Sequence, residues 1–127
     1  RSVRISSNPA GASVTLDGMA KTKLRVRASV AGAPQKRGND SQLGVRVDYA
    51  TKDGYAKCVY YALAGIDGSL AVPLGKKAAQ DETAVLKAGD NTLDLAADAP
   101  SGWTGRVMVT FVANNCGRDV AAKFILG

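Results

Sequence analysis

The chain has 127 residues, with 17 Lys and Arg against 11 Asp and Glu, a net charge of +6 and no histidine. That length accommodates one domain, residues 1–127, with a core enclosed between two layers. The missing histidine excludes Ser-His-Asp and Cys-His catalysis, and two cysteines leave too few soft ligands for a zinc or copper site.

In chain order, the first predicted unit is a hairpin. Residues Ser2 to Ser6 form one arm, Ser7-Asn8-Pro9-Ala10-Gly11 the reversal, and Ala12 to Leu16 the return, ended by Asp17-Gly18. Pro9 fixes its own φ and Gly11 tolerates a positive one, which is the chemistry of a tight turn. Arg1 leads almost directly into this strand without an initiator Met, so a leader or adjoining segment is expected to have been removed. Leu24, Val26, Ala28 and Val30 then alternate with Lys23, Arg25, Arg27 and Ser29, the period of a half-buried strand. Ala31 to Gln42, rich in Gly, Pro, Asn, Asp and basic residues, reads as a mobile loop.

Leu43 to Lys52 and Tyr55 to Ala64 flank Asp53-Gly54 and predict a second hairpin with a two-residue turn. Its second arm is apolar on both parities, as in a central strand covered on both faces. Leu70 to Leu74 is a further strand, and Pro73 marks it as an edge because proline donates nothing to the ladder. The stretch from Gly75 to Glu82 is polar. Short strands are predicted at Ala84 to Lys87 and Thr92 to Ala96 around a turn at Ala88-Gly89-Asp90-Asn91. The loop Asp98 to Gly105 leads into Arg106 to Ala113, and Asp119 to Leu126 closes the chain. About nine or ten short strands with regular turn signals predict an all-β, single-domain β-sandwich of immunoglobulin-like or jelly-roll kind.

Charge is uneven along the chain. Residues 1–57 hold 11 Lys and Arg against 4 acids, and residues 58–127 hold 6 against 7. Lys23, Arg25 and Arg27, with Arg46 on a neighbouring strand, form a candidate basic stripe. Tyr49, Tyr55, Tyr60 and Tyr61 lie on the adjoining hairpin, where they would supply stacking platforms for a nucleic acid. The alternative is that these cations protect an exposed sheet edge from unwanted pairing. Trp103, the lone tryptophan, either stacks on a sugar ring or plugs an open end of the core.

Cys58 and Cys116 are two buried thiols in a reducing compartment or one staple in an oxidising one. The staple is the reading adopted, with a stabilisation of roughly 4 kcal/mol from closing so long a loop. The acids Asp17, Asp53, Asp67, Asp90 and Asp98 fall at predicted turns, no phosphate-binding glycine motif is present, and Asp90, Asp94 and Asp98 are too dispersed for a calcium loop. The expectation is a protein without catalytic residues, cofactor or metal. No apolar run approaches the roughly 20 residues of a membrane-crossing helix, so a soluble domain is expected.

The stretch Ile5 to Gly18, with its Pro9-Ala10-Gly11-Ala12 turn and Val14 to Gly18 exit, resembles the opening hairpin of PEGA domains, small β modules of bacterial cell-surface and envelope proteins. The Gly-Thr-Thr-Pro type continuation of that family is replaced after Gly18 by Met19-Ala20-Lys21-Thr22, and no functional residue carries over. In Ser101 to Phe111 a small-residue turn leads into a long alternating strand, similar to secreted fimbrial or pilin-type subunits. These likenesses imply a secreted or cell-surface setting and a structural or adhesive subunit that self-assembles or binds protein partners through strand edges, or binds a surface ligand. The alternative function is a basic binding or coat module for an acidic polymer, either nucleic acid or anionic glycan.

Overall fold

The computed structural model describes residues 2–6, 12–19, 24–66, 82–117 and 120–126. Among them are nine strands and no helix: β1 (Ser2–Ser6), β2 (Ala12–Met19), β3 (Arg25–Ala31), β4 (Gln42–Thr51), β5 (Gly54–Leu63), β6 (Glu82–Leu86), β7 (Gly89–Asp94), β8 (Arg106–Asn114) and β9 (Ala121–Leu126). They form two sheets, a first of order β1-β9-β3-β7 and a second of order β2-β8-β4-β5-β6. The expected strand at Leu70 to Leu74, Pro73 within it, and the polar stretch that follows lie outside the described residues.

Alternation determines which faces meet. On β3, Val26, Ala28 and Val30 are buried while Arg25, Arg27, Ser29 and Ala31 are exposed. On the second sheet Leu43, Val45, Val47 and Tyr49 of β4 join Val59, Tyr61 and Leu63 of β5 and Val107, Val109 and Phe111 of β8 in one apolar cluster with the β3 residues. Side chains from both sheets therefore share a single core, an arrangement consistent with a β-sandwich. Each fully buried Val or Leu contributes roughly 1.5–3 kcal/mol, so the many aliphatic positions, rather than a few aromatics, carry the fold.

The first expected hairpin does not form. β1 pairs with β9 in one sheet and β2 with β8 in the other, so the two expected arms are not ladder partners, and the Ser7 to Gly11 reversal lies outside the described residues. β2 also continues through Asp17-Gly18, which pair with Met108 and Val107, because a long neighbouring strand satisfies backbone groups that local turn chemistry would otherwise claim. The second hairpin does form, with its turn one residue earlier than expected. Thr51 pairs with Gly54, so Lys52 and Asp53 make the turn and Gly54, at φ 123°, is the residue that only glycine fits comfortably. A register shift at Tyr49/Ala50 leaves a bulge beside this turn.

The β6–β7 connection likewise reverses early. β7 begins at Gly89, at φ 86°, so Asp90 and Asn91 belong to a strand and not to a turn. β5 and β6 run parallel, the one parallel pair among the described ladders.

The loop of residues 32–41, expected to be mobile, is tied down. The buried Ser41 hydroxyl accepts hydrogen bonds from the Arg37 and Gly38 amides at 2.8 and 3.0 Å and donates to the Asn115 carbonyl at 2.6 Å. The Gln35 amide donates to the Cys116 carbonyl at 2.8 Å, and the Asn114 and Asn115 side-chain amides donate to the Asp40 carbonyl and carboxylate. Polar composition marked a loop correctly but carried no information about these long-range partners.

Candidate functional site

The expected basic stripe is only partly assembled. Arg25 and Arg27 stand exposed on the outer face of the first sheet, and Lys23 lies outside the described residues. Arg46 belongs elsewhere: it is fully buried on the outward parity of β4 in the second sheet. There its Nε donates to Asp48 Oδ2 at 3.0 Å and its second guanidinium nitrogen to Oδ1 at 3.1 Å. Both side chains of this two-pronged pair are fully shielded from solvent. Residues two apart on a strand share a face, so Arg46-Val47-Asp48 pre-places the pair, a signal that alternation alone does not separate from an exposed salt bridge.

The stacking platforms also fail to assemble. Tyr49, Tyr60 and Tyr61 are buried, and only Tyr55 remains partly accessible, on the second sheet away from Arg25 and Arg27. Tyr49 and Tyr61 point into the core on the inner parity, whereas Tyr60 packs on the other side of the sheet with Ala62 and Val112. A nucleic-acid surface built from these rings is thereby overturned.

The disulfide is likewise a correction. Cys58 and Cys116 are both buried and form no disulfide. Cys58 pairs in register with Asp48, which itself faces Met108, while Cys116 follows the end of β8 beyond Asn114 and packs into the inter-sheet core. The strand from Met108 to Asn114 alone spans about 20 Å at the usual rise per residue. A disulfide tolerates a Cα separation of no more than about 7 Å.

Trp103 closes one end of the core. Its ring meets Tyr49 edge-on at 5.8 Å and 76°, and its indole N–H donates to the Arg106 carbonyl at 3.0 Å. The neighbouring Thr104 anchors the loop twice on the Ala50 carbonyl, through its amide at 3.1 Å and its hydroxyl at 3.2 Å. Such a ring, half-buried and engaged at both faces of its chemistry, occupies the position of a plug.

Next to Tyr49, against which Trp103 packs, lies a group of titratable side chains. Tyr61 donates its hydroxyl to Asp98, Lys57 donates to the Asp98 carbonyl at 2.7 Å, and Lys57 also pairs with Glu82 at 2.9 Å. Tyr49, buried next to them, has a hydroxyl without a hydrogen-bond partner. Desolvation holds both phenols protonated far above the ordinary tyrosine range; for Tyr61 the bond to Asp98 adds to this, and for Tyr49 the Tyr61 hydroxyl opposes it while the nearby carboxylates add to it. The groups are committed to one another and to the backbone, which is the chemistry of a latch that fixes the loop after β7.

That latch has a pH signature. An unfolded chain loses its phenolic protons near pH 10, whereas the folded chain keeps those of Tyr49 and Tyr61. Their contribution is therefore intact below about pH 10 and is lost as pH rises above it, by about 3 kcal/mol per pH unit for the two together. Urea midpoints measured at rising pH are expected to fall accordingly, and Tyr49→Phe to halve the slope. At neutral pH the same substitution is expected to be close to neutral, because the buried hydroxyl it removes approaches Tyr61 without making a hydrogen bond of good geometry. An undiminished slope in Tyr49→Phe would refute this account.

The remaining feature, among the described residues, is a pair of sheet ends with nothing paired beyond them. β7 ends the first sheet and β6 ends the second, and Lys87 and Ala88 alone separate them in the chain. An open groove of about 550 Å³ runs between these edges, from Val85 and Leu86 to Thr92 and Leu93. Val85 is 72% exposed, the most exposed large apolar side chain described. Among the described residues no cluster of His, Cys, Asp and Glu is placed to hold a metal ion. No protein-family model, curated protein or solved structure matches the chain.

Proposed function

We propose that the chain is a non-catalytic structural or adhesive β-sandwich subunit, of immunoglobulin-like or jelly-roll kind, that assembles through its strand edges. The observation that carries this reading is that, among the described residues, β6 and β7 each end a sheet with no strand paired on the outer side, and that Val85 of β6 is exposed. Strand edges are ordinarily blunted by charge, proline or a bulge, since an unprotected row of N–H and C=O groups templates further pairing. Here β6 has its one acid, Glu82, drawn into an ion pair with Lys57 and presents Val85 outward instead. An added strand would gain main-chain hydrogen bonds along the edge and an apolar contact at Val85. The similarity of Ser101 to Phe111 to fimbrial subunits points the same way. A secreted or cell-surface location belongs to the same proposal, and two buried cysteines outside a disulfide do not discriminate between compartments.

Light scattering after size-exclusion chromatography tests it. Oligomers that grow with protein concentration, persist in high salt and revert to monomer in Val85→Lys are expected. A wild-type chain that stays monomeric across the concentration range would overturn the proposal.

A further inference from the structure

Although Arg46 is lost from the expected stripe, the pairing of β3 with β9 supplies another cation. β9 lies alongside β3 with Ile125 opposite Arg27 and Lys123 opposite Ser29. Arg25, Arg27 and Lys123 are all exposed, and among the described residues none of them has an ion-pair partner. Same-face residues are about 7 Å apart along a strand and neighbouring strands about 4.8 Å apart, so the three form a row about 14 Å long and one strand spacing wide. Beyond β9, β1 brings Arg4 into register with Lys123. Past the Ala31 end of β3, the loop held by Ser41 carries the exposed Lys36 and Arg37.

The row has a negative border. β7 sets Asp90, Thr92 and Asp94 opposite Ser29, Arg27 and Arg25, all three of them exposed, and Asp90 accepts the Ser29 hydroxyl at 2.8 Å. We infer that this row binds a single-chain acidic polysaccharide, sulfated or carboxylated, laid along β3 and β9. Width decides against a nucleic-acid duplex, which carries a charge every 1.7 Å or so from two strands and would set phosphates over Asp90 and Asp94. Surface chemistry decides against a single-stranded nucleic acid: among the described residues this face offers no aromatic ring for a base to stack on. What it offers beside the cations are the exposed Thr92 hydroxyl and the Ser29 oxygen, which still accepts while donating to Asp90 and suits the hydroxyl-rich flank of a sugar chain. This surface is independent of the β6–β7 edge.

The probe is a heparin oligosaccharide of defined length, titrated calorimetrically at about 50 and about 200 mM salt, a range over which counterion release is resolved. Any basic protein attracts heparin, so the comparison is between two variants of equal charge. Arg25→Ser/Arg27→Ser is expected to weaken binding about tenfold and to flatten the salt dependence by one to two units of log–log slope, about 0.7–0.9 per cation removed. Lys52→Ser/Lys87→Ser removes two exposed cations elsewhere and is expected to change affinity less than about twofold. Equal losses in the two variants, no binding of the oligosaccharide, or tighter binding of oligo(dT) or a DNA duplex of matched charge would each overturn the inference. All four side chains are exposed, and an unchanged thermal midpoint verifies that each variant is folded.

Discussion

Arg46→Leu is expected to destabilise the protein by about 3–5 kcal/mol, the cost of leaving the Asp48 carboxylate buried without its cation. For a domain of this size that corresponds to a thermal midpoint lower by roughly 15 °C. The double variant Arg46→Leu/Asp48→Leu is expected to recover most of the loss, because removing both charges removes the desolvation penalty together with the attraction. The reason lies in position. The pair occupies the outward parity of β4, the strand at the centre of the second sheet, where Gly44, Arg46, Asp48 and Ala50 are as buried as the inward Leu43, Val45, Val47 and Tyr49. On an exposed face the same ion pair would be worth no more than about 1 kcal/mol and the single substitution would be nearly silent. Denaturation of the two singles and the double gives the coupling energy directly. A small cost for Arg46→Leu, or a double variant worse than either single, would show that the pair is not the burdened element described here.

The second large effect is expected at Gly44. Glycine inside a strand ordinarily weakens it, and replacement by alanine is ordinarily stabilising by about 0.5–1 kcal/mol. At Gly44 the sign is expected to reverse, to a loss of about 3 kcal/mol, because a Cβ would collide with the Tyr61 carbonyl oxygen and come within 2.8 Å of the Tyr60 ring. Tyr60 lies over the bare backbone of Gly44 from the neighbouring strand, so the missing side chain is what lets the ring pack. Gly44→Ala/Tyr60→Leu separates the two obstacles: the ring is gone but the carbonyl remains. The double variant is therefore expected to stay well below Tyr60→Leu alone in thermal midpoint. If Gly44→Ala raised the midpoint, the close approach between β4 and β5 would be disproved.

These two sites show where a linear reading stops. Gly44 and Arg46 sit in a segment whose alternating apolar residues identified a strand at once, yet alternation reads one face and treats the other as solvated. Whether an outward face is wet depends on what lies across it, and a local window does not contain that information. The same gap explains the stripe. Arg25 and Arg27 were legible from their own period, Arg46 was wrongly added, and Lys123 was missed as their neighbour, since the β3–β9 contact joins segments nearly a hundred residues apart. The latch of Tyr61 and Asp98 was invisible for the same reason, and its only sequence trace is two tyrosines in an apolar run. Nothing in the sequence singles out Val85, because a lone valine in a short strand reads as core until the strand proves to be an edge.

Local chemistry determined a good deal unaided. The period-two alternation in residues 24–30, 43–49 and 107–113 required extended backbone, since no other conformation puts those side chains on one side. Turn residues determined that the chain doubles back between β4 and β5. The absence of histidine denied the chain an imidazole for acid–base work without any structure. Partnership was decided only by tertiary packing: that β1 and β2 go to different sheets, that the two cysteines lie too far apart to bond, that Arg46 is inside and Arg27 outside. Strand propensity and turn chemistry act over a few residues, whereas a sheet is held by hydrogen bonds and apolar contacts between segments distant in the chain. Which strand a segment meets is settled by how the strands together bury their apolar faces.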